Sequence, residues 1–461
     1  MYVCGPTVYD SCHLGHARSV VAFDVIRRYL EYKGLRVRYI QNFTDIDDKM
    51  IQRAQERGVT VAQLAAKYIH EYFEDFDLLG VKRAHVFPRA TEYIPDMIEA
   101  IQKLVKKGFA YEAKGSVYFR VAKSKDYGKL SGQKADELHD EAELAQAGEK
   151  ESVQDFALWK AMKPGEPFWD SPWGKGRPGW HIECSVMSTK QLGGPLDIHG
   201  GGMDLIFPHH VNEIAQAEAL LGKRFVQYWL HNGFLTVNKE KMSKSLGNFF
   251  TIREVTAKYN PEVVRLFLIS SHYRSPIDFS DQQLEEAKAR LARIHNTIEL
   301  LQRQVKTVRD AETSTKVMLG SADQELWSAV ADLRREFEEA MDDDFNTPVA
   351  LACLNKFLSR ANSLVTAPTS ATAGTLEDAL TTLDAIGEVL GLYRQRMVSP
   401  AAPAATQAAA QALVELLIEL RNDARKRKDF AAADRIRTRL RELGILLEDE
   451  TKGTTWKWAQ Q

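Results

Sequence analysis

Two histidines stand three residues apart near the start of the chain, at His13 and His16, with Gly15 between them. They follow a short apolar stretch and a Gly-Pro break, where we expect a strand to turn into a helix. The first turn of a helix offers unpaired N–H groups and a partial positive charge, which favour phosphate. Both imidazoles can donate to phosphate oxygens there, and Gly15 leaves room for a flat base. The pattern predicts a nucleotide site; the alternative is a pair of capping or core histidines.

Two lysines are also three residues apart, Lys241 and Lys244, in the segment KMSKS at residues 241–245. The segment comes after Val226 to Leu235, an apolar stretch that we predict to be a strand. Lysines on a polar, serine-rich loop can neutralise the charge of a polyphosphate. The alternative is a solvated basic loop.

Four side chains of types that bind metals lie in the first half of the chain: Cys4, Cys184, His209 and Glu213. His209 and Glu213 are four residues apart and would share one face of a helix. Two thiolates, an imidazole and a carboxylate form a suitable tetrahedral shell for Zn²⁺. The spacing leaves open that the cysteines are small buried apolar residues and that His209 is an ordinary polar residue.

A local excess of positive charge lies near the C-terminal end. Residues 421–441 hold nine lysines and arginines against three aspartates, and Trp456 and Trp458 follow with a lysine between them. A basic helix can track phosphates, and exposed aromatic rings can stack on unpaired bases. The alternative is a solvated helix with a core tryptophan. The candidate RNA contacts are Arg425, Lys426, Arg427, Lys428, Trp456 and Trp458.

These residues need a framework that brings them together. An apolar strand, a helix ending near Gly34 and a β-branched stretch at Val37 to Phe43 follow one another at the start. This succession is typical of a doubly wound α/β domain with a parallel sheet. The acidic residues Asp45, Asp47 and Asp48 come next, and we expect turn and N-cap roles for them rather than Mg²⁺ binding.

The rest of the chain changes character several times. Residues 121–163 are charged and turn-rich and resemble an insertion, residues 260–392 have an almost wholly helical pattern, and residues 399–407 hold two prolines and indicate a linker. The 461 residues suggest about three domains. The formal net charge of −2 means that any nucleic-acid surface must be a local patch.

Composition excludes several classes of protein. With 44% hydrophobic and 27% charged residues, the chain is neither disordered nor fibrous. Four cysteines do not form a secreted disulfide framework, and they favour a reducing cytoplasm. The sequence has no long apolar run and no charged-then-apolar leader, so we expect neither a membrane span nor a signal peptide.

The longer motifs resemble the cysteinyl-tRNA synthetase family. HLGH together with KMSKS matches the HIGH and KMSKS motifs that class I aminoacyl-tRNA synthetases share. The further likeness is carried by MYVCGPTVYD at 1–10, NFTDIDDK at 42–49, GWHIECS at 179–185, GGGMDL at 200–205, FPHH at 207–210 and KMSKSLGN at 241–248. The similarity runs through the whole chain.

The resemblance implies roles for particular residues. One Zn²⁺ per chain would be held by Cys4, Cys184, His209 and Glu213 and would take the substrate thiolate. The amino-acid pocket would include Thr44, Trp180, His199 and Asp204. ATP, with Mg²⁺, would be bound by His13, Gly15, His16 and Lys244, and catalysis would use His13, His16, Lys241 and Lys244.

The resemblance also implies a domain order and a reaction. The expected domains are a Rossmann-like catalytic half at 1–120, a connective insertion at 121–170, a second catalytic half with the zinc site at 171–235, a KMSKS-containing stem-contact region at 236–290, a helical bundle at 291–398, a linker at 399–409 and a small α+β anticodon-binding domain at 410–461. The implied reaction joins L-cysteine to tRNA(Cys) with ATP, in a cytoplasmic monomer.

Two rivals remain at this point. One is a cysteine ligase of the same fold that acylates an amino sugar in mycothiol synthesis. The other is a non-catalytic, zinc-stabilised RNA-binding module.

Overall fold

The computed structural model of the chain describes residues 1–132, 149–237, 240–241, 249–312, 319–365, 371–393, 404–427, 429–442, 445–450 and 453–458. The chain divides into two compact units, Met1–Tyr393 and Arg394–Gln461. Across the described ranges, every helix is too short or too polar to cross a membrane.

The strands, numbered in chain order, are β1 Tyr2–Val3, β2 Ile40–Gln41, β3 Ala110–Ala113, β4 Ser116–Phe119, β5 Phe156–Ala161, β6 Gly176–Pro178, β7 Leu196–Gly202, β8 Val226–Asn232, β9 Leu235–Val237, β10 Glu240–Lys241, β11 Ile277–Phe279, β12 Ile445–Glu450 and β13 Gly453–Trp458. The helices are α1 Leu14–Tyr32, α2 Asp48–Arg57, α3 Val61–Leu78, α4 Ile94–Lys106, α5 Trp180–Leu192, α6 Val211–Leu221, α7 Ile252–Thr256, α8 Pro261–Leu268, α9 Asp281–Glu312, α10 Ser321–Asp342, α11 Thr347–Val365, α12 Ala373–Leu390, α13 Ala404–Lys426 and α14 Phe430–Glu442.

A parallel four-stranded sheet with the order β2–β1–β7–β8 lies at the centre of the first unit. The predicted α/β class is confirmed. The chain leaves β1 to one side for β2 and returns on the other side for β7, so the strand order reverses between β1 and β7. In open α/β sheets, ligands bind at such a switch point, outside the carboxyl ends of the strands.

The predicted first helix is confirmed as α1. Its apolar residues at three- and four-residue spacing, Val20, Phe23 and Ile26, are buried. The strand expected over Val37 to Phe43 is shorter, because only Ile40–Gln41 pairs with β1. The flanking residues form isolated bridges on the opposite side, as Phe43 does with Arg89.

A second, antiparallel sheet is inserted between the two halves of the parallel sheet. It contains β3, β4, β5 and β6 in sequence order and extends from Ala110 to Pro178. The expected bounds of the insertion, 121–170, are therefore too narrow for this sheet. Its first hairpin has short strands with an ordinary apolar pattern, which gave no compositional signal of a boundary.

A small three-stranded sheet and a helical bundle complete the first unit. Strand β9 lies between β10, which is antiparallel to it, and β11, which is parallel. Strand β11 interrupts the region that was expected to be almost wholly helical. Helices α9 to α12 follow, and the predicted apolar face of α9 is buried at Leu284, Ala287, Leu291 and Ile294.

In the described part of the second unit, two helices precede a hairpin. Strands β12 and β13 are antiparallel, with Leu447 opposite Trp456. The basic stretch 421–441 was treated as one helix, but it is divided between α13, which ends at Lys426, and α14, which begins at Phe430. Asp429 marks this break with two hydrogen bonds. Its N–H donates to the carbonyl of Ala424 in α13, and its carboxylate accepts from the N–H of Ala432 in α14.

Candidate active site

The four predicted metal-binding side chains converge at the switch point of the parallel sheet. Cys4 directly follows β1, Cys184 lies in α5, Glu213 lies in the first turn of α6, and His209 lies in the turn that precedes α6. One donor atom from each residue lies within 4.8 Å of all the others. Residues from three distant parts of the chain thus form one cluster.

Direct contacts join the members of this cluster. The Sγ atoms of Cys4 and Cys184 are 3.8 Å apart. His209 Nε2 lies 3.0 Å from Glu213 Oε1, and Cys4 Sγ lies 3.6 Å from the same oxygen. Cys184, His209 and Glu213 are at most 1% exposed. The cluster is therefore shielded from bulk water.

The electrostatics of the cluster favour charged donors. Burial opposes ionisation of Cys184, but the Cys4 thiol and the nearby His209 outweigh it and lower the pKa of Cys184 to about 6. Burial likewise opposes protonation of His209, yet the Glu213 carboxylate and Cys184 raise its pKa to about 10. The pKa of Glu213 is held well below its ordinary value, against burial, by His199 and His209. These directions favour the thiolate form of Cys184 and the carboxylate form of Glu213.

The donor set suits a divalent cation with an affinity for sulfur. Glu213 Oε2 is buried and has no hydrogen-bond partner. A buried carboxylate oxygen without a partner is costly, and a cation beside it would remove that cost. Two sulfurs, one imidazole nitrogen and one carboxylate oxygen match the ligand types and number that Zn²⁺ prefers.

Further histidines surround this cluster, and the sequence reasoning did not identify most of them. Cys4, His199, His210 and Glu213 form a second quartet with donor atoms within 4.8 Å, and Cys4 Sγ lies 3.5 Å from both His199 Nε2 and His210 Nε2. The doublet of histidines in FPHH was the only local signal of His210. The second quartet has one sulfur instead of two, so the first quartet suits zinc better.

Two outer histidines contact the inner ones. His181 Nδ1 lies 3.0 Å from His209 Nδ1, and His231 Nε2 lies 2.8 Å from His210 Nδ1. Burial lowers the pKa of His181 and of His231, so both are neutral at pH 7. A hydrogen bond to the second ring nitrogen orients a histidine ligand and fixes its tautomer.

Two of the four predicted amino-acid pocket residues contact the metal cluster directly. Trp180 begins α5 and lies against His209, and His199 lies against Cys4. Thr44 is buried and donates to Glu183 Oε2 at 3.2 Å. Asp204 is exposed on the short 3₁₀ turn after β7. A Cβ at Gly201 would lie 2.8 Å from Leu205 Cδ1 and 3.1 Å from His210 Cε1, so a larger residue there would have to displace these side chains.

The predicted ATP histidines lie at the beginning of α1. His13 is the N-cap residue, and its Nδ1 accepts from the N–H of Gly15 at 3.0 Å and of His16 at 3.3 Å. His16 Nδ1 in turn accepts from the N–H of His13 at 3.3 Å. An Nδ1 that accepts carries no proton, so the proton of each neutral ring is on Nε2. Both rings can therefore donate through Nε2, and they stack with centroids 3.8 Å apart.

The predicted lysine motif is only partly described. Lys241 ends β10, whose partner β9 contacts β11. Lys244 lies outside the described residues. The chain is described again from Phe249, whose ring lies 5.0 Å from that of His13. Both ends of this segment are thus placed, one on the small sheet and the other beside the ATP histidines.

The predicted RNA contacts lie in the second unit. Arg425 and Lys426 end α13, Arg427 follows in a turn, and Lys428 lies outside the described residues. Trp456 and Trp458 are two residues apart in β13.

Three family models match the chain. Residues 1–289 match the class I (C) catalytic domain of tRNA synthetases, residues 336–394 match the DALR domain, and residues 408–456 match the anticodon-binding domain of cysteinyl-tRNA ligase.

Curated relatives match along nearly the whole chain. A cysteine–tRNA ligase of Carboxydothermus hydrogenoformans is 50% identical over 457 residues, covering 99% of this chain and 95% of that protein. A cysteine–tRNA ligase of Geobacter sulfurreducens is 51% identical over 464 residues, covering 99% and 94%.

The fold resembles solved class I synthetases. Methionyl-tRNA synthetase of Mycobacterium tuberculosis, solved in complex with methionyl-adenylate, superposes with a TM-score of 0.62 at 18% identity, covering 84% of this chain and 89% of that one. At this identity the likeness concerns the fold alone.

Proposed function

The chain belongs to the cysteine–tRNA ligase family of class I aminoacyl-tRNA synthetases, and on that premise we propose that it activates L-cysteine with ATP and transfers the cysteinyl group to the 3′-terminal adenosine of tRNA(Cys). The observation that carries the proposal is the cluster of Cys4, Cys184, His209 and Glu213 at the switch point of a sheet whose first helix carries the ATP histidines. This arrangement supports a thiol site and a triphosphate site on one α/β unit.

The substrate would be selected through its sulfur. Cysteine and serine differ by one heavy atom, and an apolar pocket rejects such an isostere only weakly. When bound by Cys4, Cys184, His209 and Glu213, zinc supplies a soft Lewis acid that prefers a thiolate to a hydroxyl. Selection by ligand softness would leave no need for a separate editing site.

The chain's own residues would hold the rest of the amino acid. Trp180 covers one side of His209 and would form an apolar wall of the pocket. Thr44 and Asp204 would provide polar contacts, and the exposed carboxylate of Asp204 suits the ammonium group of the substrate. His199, buried against Cys4, would keep the base of the pocket free of water.

Activation requires little acid–base chemistry. The substrate carboxylate is already ionised and attacks the α-phosphate of ATP, giving cysteinyl-adenylate and pyrophosphate. Catalysis then depends on orientation and on stabilising the charge of the phosphates. His13 and His16 would donate through Nε2 to phosphate oxygens, Lys241 and Lys244 would add positive charge, and ATP would carry its Mg²⁺.

The second unit would provide the recognition of tRNA. Its match to an anticodon-binding domain and its basic residues Arg425 and Lys426 support this role. An amino sugar, the acceptor of the rival mycothiol-type ligase, would have no use for an anticodon reader. Contacts to phosphates make such binding sensitive to salt.

The test compares amino acids and acceptors with the full-length protein. Pyrophosphate exchange with ATP should depend on cysteine and be far slower with serine. A tRNA with a GCA anticodon should then accept cysteine, while a tRNA with another anticodon should not. Exchange without any charging of tRNA, combined with acylation of an amino sugar, would contradict the proposal in favour of the rival ligase.

A further inference from the structure

Arg18 is a buried arginine in α1, two residues after His16. It is 1% exposed, and its guanidinium group donates to four backbone carbonyls: Leu268, Ser271 at 3.2 Å, His272 at 2.6 Å and Ser275 at 3.3 Å. Its Nε has no hydrogen-bond partner. Among the described residues, no carboxylate forms an ion pair with it.

This arrangement is unusual for a buried charge. Buried cations are normally paired with a carboxylate, because removing a charge from water is costly. Here burial lowers the pKa of Arg18 to about 10, so the side chain is still charged at neutral pH. Its partners are carbonyl dipoles, one of them from Leu268 at the negative end of α8. A buried group that breaks a local rule without an evident structural gain points to a role in function.

Three of the four carbonyls that Arg18 binds belong to the segment that leads into the small sheet, and the fourth is that of the last residue of α8. Residues 269–276 connect α8 to β11, and β11 begins at Ile277, opposite Leu235 of β9. Strand β9 is paired in turn with β10, in which Lys241 lies opposite Thr236. A continuous path of hydrogen bonds therefore runs from Arg18 to the strand that enters the lysine motif.

We propose that Arg18 is a positioning residue that fixes the helix carrying His13 and His16 against the strands leading to Lys241, so that both ATP motifs face one triphosphate. Arg18 does not touch the substrate in this role; it acts through residues 269–276. The inference rests on the proposed function, because it takes these histidines and lysines to bind ATP.

The experiment measures pyrophosphate exchange for Arg18→Lys and Arg18→Met in the full-length chain. A lysine retains the charge but cannot reach all four carbonyls with one ammonium group, and a methionine retains only the apolar stem. Because small misplacements of catalytic groups are costly, kcat/KM for ATP should fall about 10- to 100-fold. The KM for cysteine should stay within about twofold, since the metal cluster is formed by other elements than α1 and residues 269–276. The lysine variant should recover part of the rate that the methionine variant loses.

The matched control is Arg28→Lys. Arg28 is another buried arginine of α1, and it binds Asp24, the carbonyl of Gly80 and the carbonyl of Glu388. This variant removes similar contacts from the same helix without touching residues 269–276. It should lower the melting temperature and leave the ATP parameters within about twofold of the parent.

A substitution at Gly233 tests the same segment, residues 269–276, without changing Arg18. A Cβ at Gly233 would lie 2.5 Å from the carbonyl of Ser275 and 2.6 Å from that of Arg274. Gly233→Ala should therefore displace residues 269–276 and lower kcat/KM for ATP without changing the KM for cysteine. If the Arg18 variants do not fold, this variant tests the proposal in their place.

Three results would overturn the inference. The first is a folded Arg18→Met protein whose kcat/KM for ATP is within twofold of the parent. The second is an equal fall of kcat/KM for ATP in Arg28→Lys, and the third is a folded Gly233→Ala protein whose kcat/KM for ATP does not fall. A parent protein without cysteine-dependent exchange would contradict the proposed function itself, so the two failures can be told apart.

Discussion

The indole ring of Trp180 stacks on the imidazole ring of His209, with ring centroids 4.4 Å apart and planes 27° apart. A wall of the proposed amino-acid pocket therefore rests directly on a proposed metal ligand. His209 also contacts His181 through its second ring nitrogen and Glu213 through the first. A change in the metal cluster should consequently be transmitted to the proposed pocket for cysteine.

The first prediction concerns Cys184→Ser. Serine removes a thiolate from the cluster, and a hydroxyl is a poor zinc ligand at neutral pH. The zinc content, measured by elemental analysis after dialysis, should fall from about one ion per chain. The loss of zinc affinity should exceed the roughly 10- to 100-fold loss that follows when a partner of a metal ligand, and not the ligand itself, is replaced. The KM for cysteine should rise sharply, and the KM for ATP should change little.

Cys353→Ser is the matched control for this change. Cys353 is a half-buried cysteine of α11, and the same substitution there should leave zinc content and exchange unaltered. An active parent protein that contains essentially no zinc would contradict the metal assignment.

The second prediction separates two roles of His13. Asparagine is a preferred N-cap residue, so His13→Asn should keep the hydrogen bonds to the N–H groups of Gly15 and His16 while removing the Nε2 donor. The free energy of unfolding should stay within about 0.5 kcal/mol of the parent. The rate of adenylate formation, measured by rapid quench, should fall about 10²- to 10³-fold, as for the loss of one preorganised donor.

His13→Ala provides the comparison. It removes the cap as well as the donor and should cost a further ~1 kcal/mol of stability. Normal adenylate formation in a folded His13→Asn protein would show that His13 only caps the helix.

The third prediction concerns the pH dependence of an ion pair between helix α2 and the inserted sheet. Asp48, in the first turn of α2, binds Lys160 of β5 at 2.8 Å and the buried Arg177 of β6. Partial burial disfavours its charge, but these two cations lower the pKa of Asp48 from 3.8 to about 2. Because the pKa of Asp48 is lower in the folded than in the unfolded state, its ion pairs contribute their full stabilisation above pH 3.8. This contribution is lost as the pH falls through about 2.

The measurement is a set of denaturant titrations of the parent and Asp48→Asn. The side chain is 60% exposed, so solvent screening should reduce the difference to about 1 kcal/mol at pH 6. That difference should vanish near pH 2. Asp170→Asn, at an exposed aspartate of the insertion that holds Lys160 and Arg177, is the control and should change the free energy of unfolding at pH 6 by less than about 0.5 kcal/mol. A difference that persists unchanged at pH 2 would mean that packing, and not charge, is responsible.

Much of the fold could be predicted where a local pattern was long enough. The periodic apolar residues of α1 and α9 indicated helices, and the expected N-cap role in the acidic cluster is confirmed for Asp47, which accepts from the N–H of Met50. Strands β1 and β2 have only two paired residues each, which is too short for any periodicity to fix their ends. The bounds of the inserted sheet were missed for the same reason.

The surroundings of the metal cluster could not be predicted, because they depend on contacts between distant parts of the chain. Cys4 and Cys184 are 180 residues apart in sequence and 3.8 Å apart in space. Their convergence was expected only because the motifs resemble those of a known family. The contacts of His181 and His231 with the inner histidines had no such guide. The roles of the ligands themselves stay predictions.

The last prediction concerns a chain that ends at residue 398, before the predicted linker. The cut must lie after Tyr393, because this buried residue closes the first unit through a hydrogen bond from its N–H to Glu262. The first unit, Met1–Tyr393, contains the proposed zinc and ATP residues, all of which precede residue 250. Cysteine-dependent pyrophosphate exchange should therefore stay within about twofold of the parent, because no group that contacts cysteine or ATP is removed.

Charging of tRNA should collapse in the same shortened protein, because the candidate contacts at Arg425, Lys426 and Trp456 are lost with the second unit. The matched control retains the whole chain and replaces Arg425 and Lys426 with alanine. This variant should bind tRNA more weakly, and the dependence of its affinity on salt should be shallower, since each lost phosphate contact lowers the slope of log K against log salt by about one. Equal charging by the shortened and full-length chains at one ionic strength would exclude anticodon reading by the second unit. Loss of pyrophosphate exchange in a folded fragment would instead show that the second unit supports the catalytic unit, because exchange needs no tRNA.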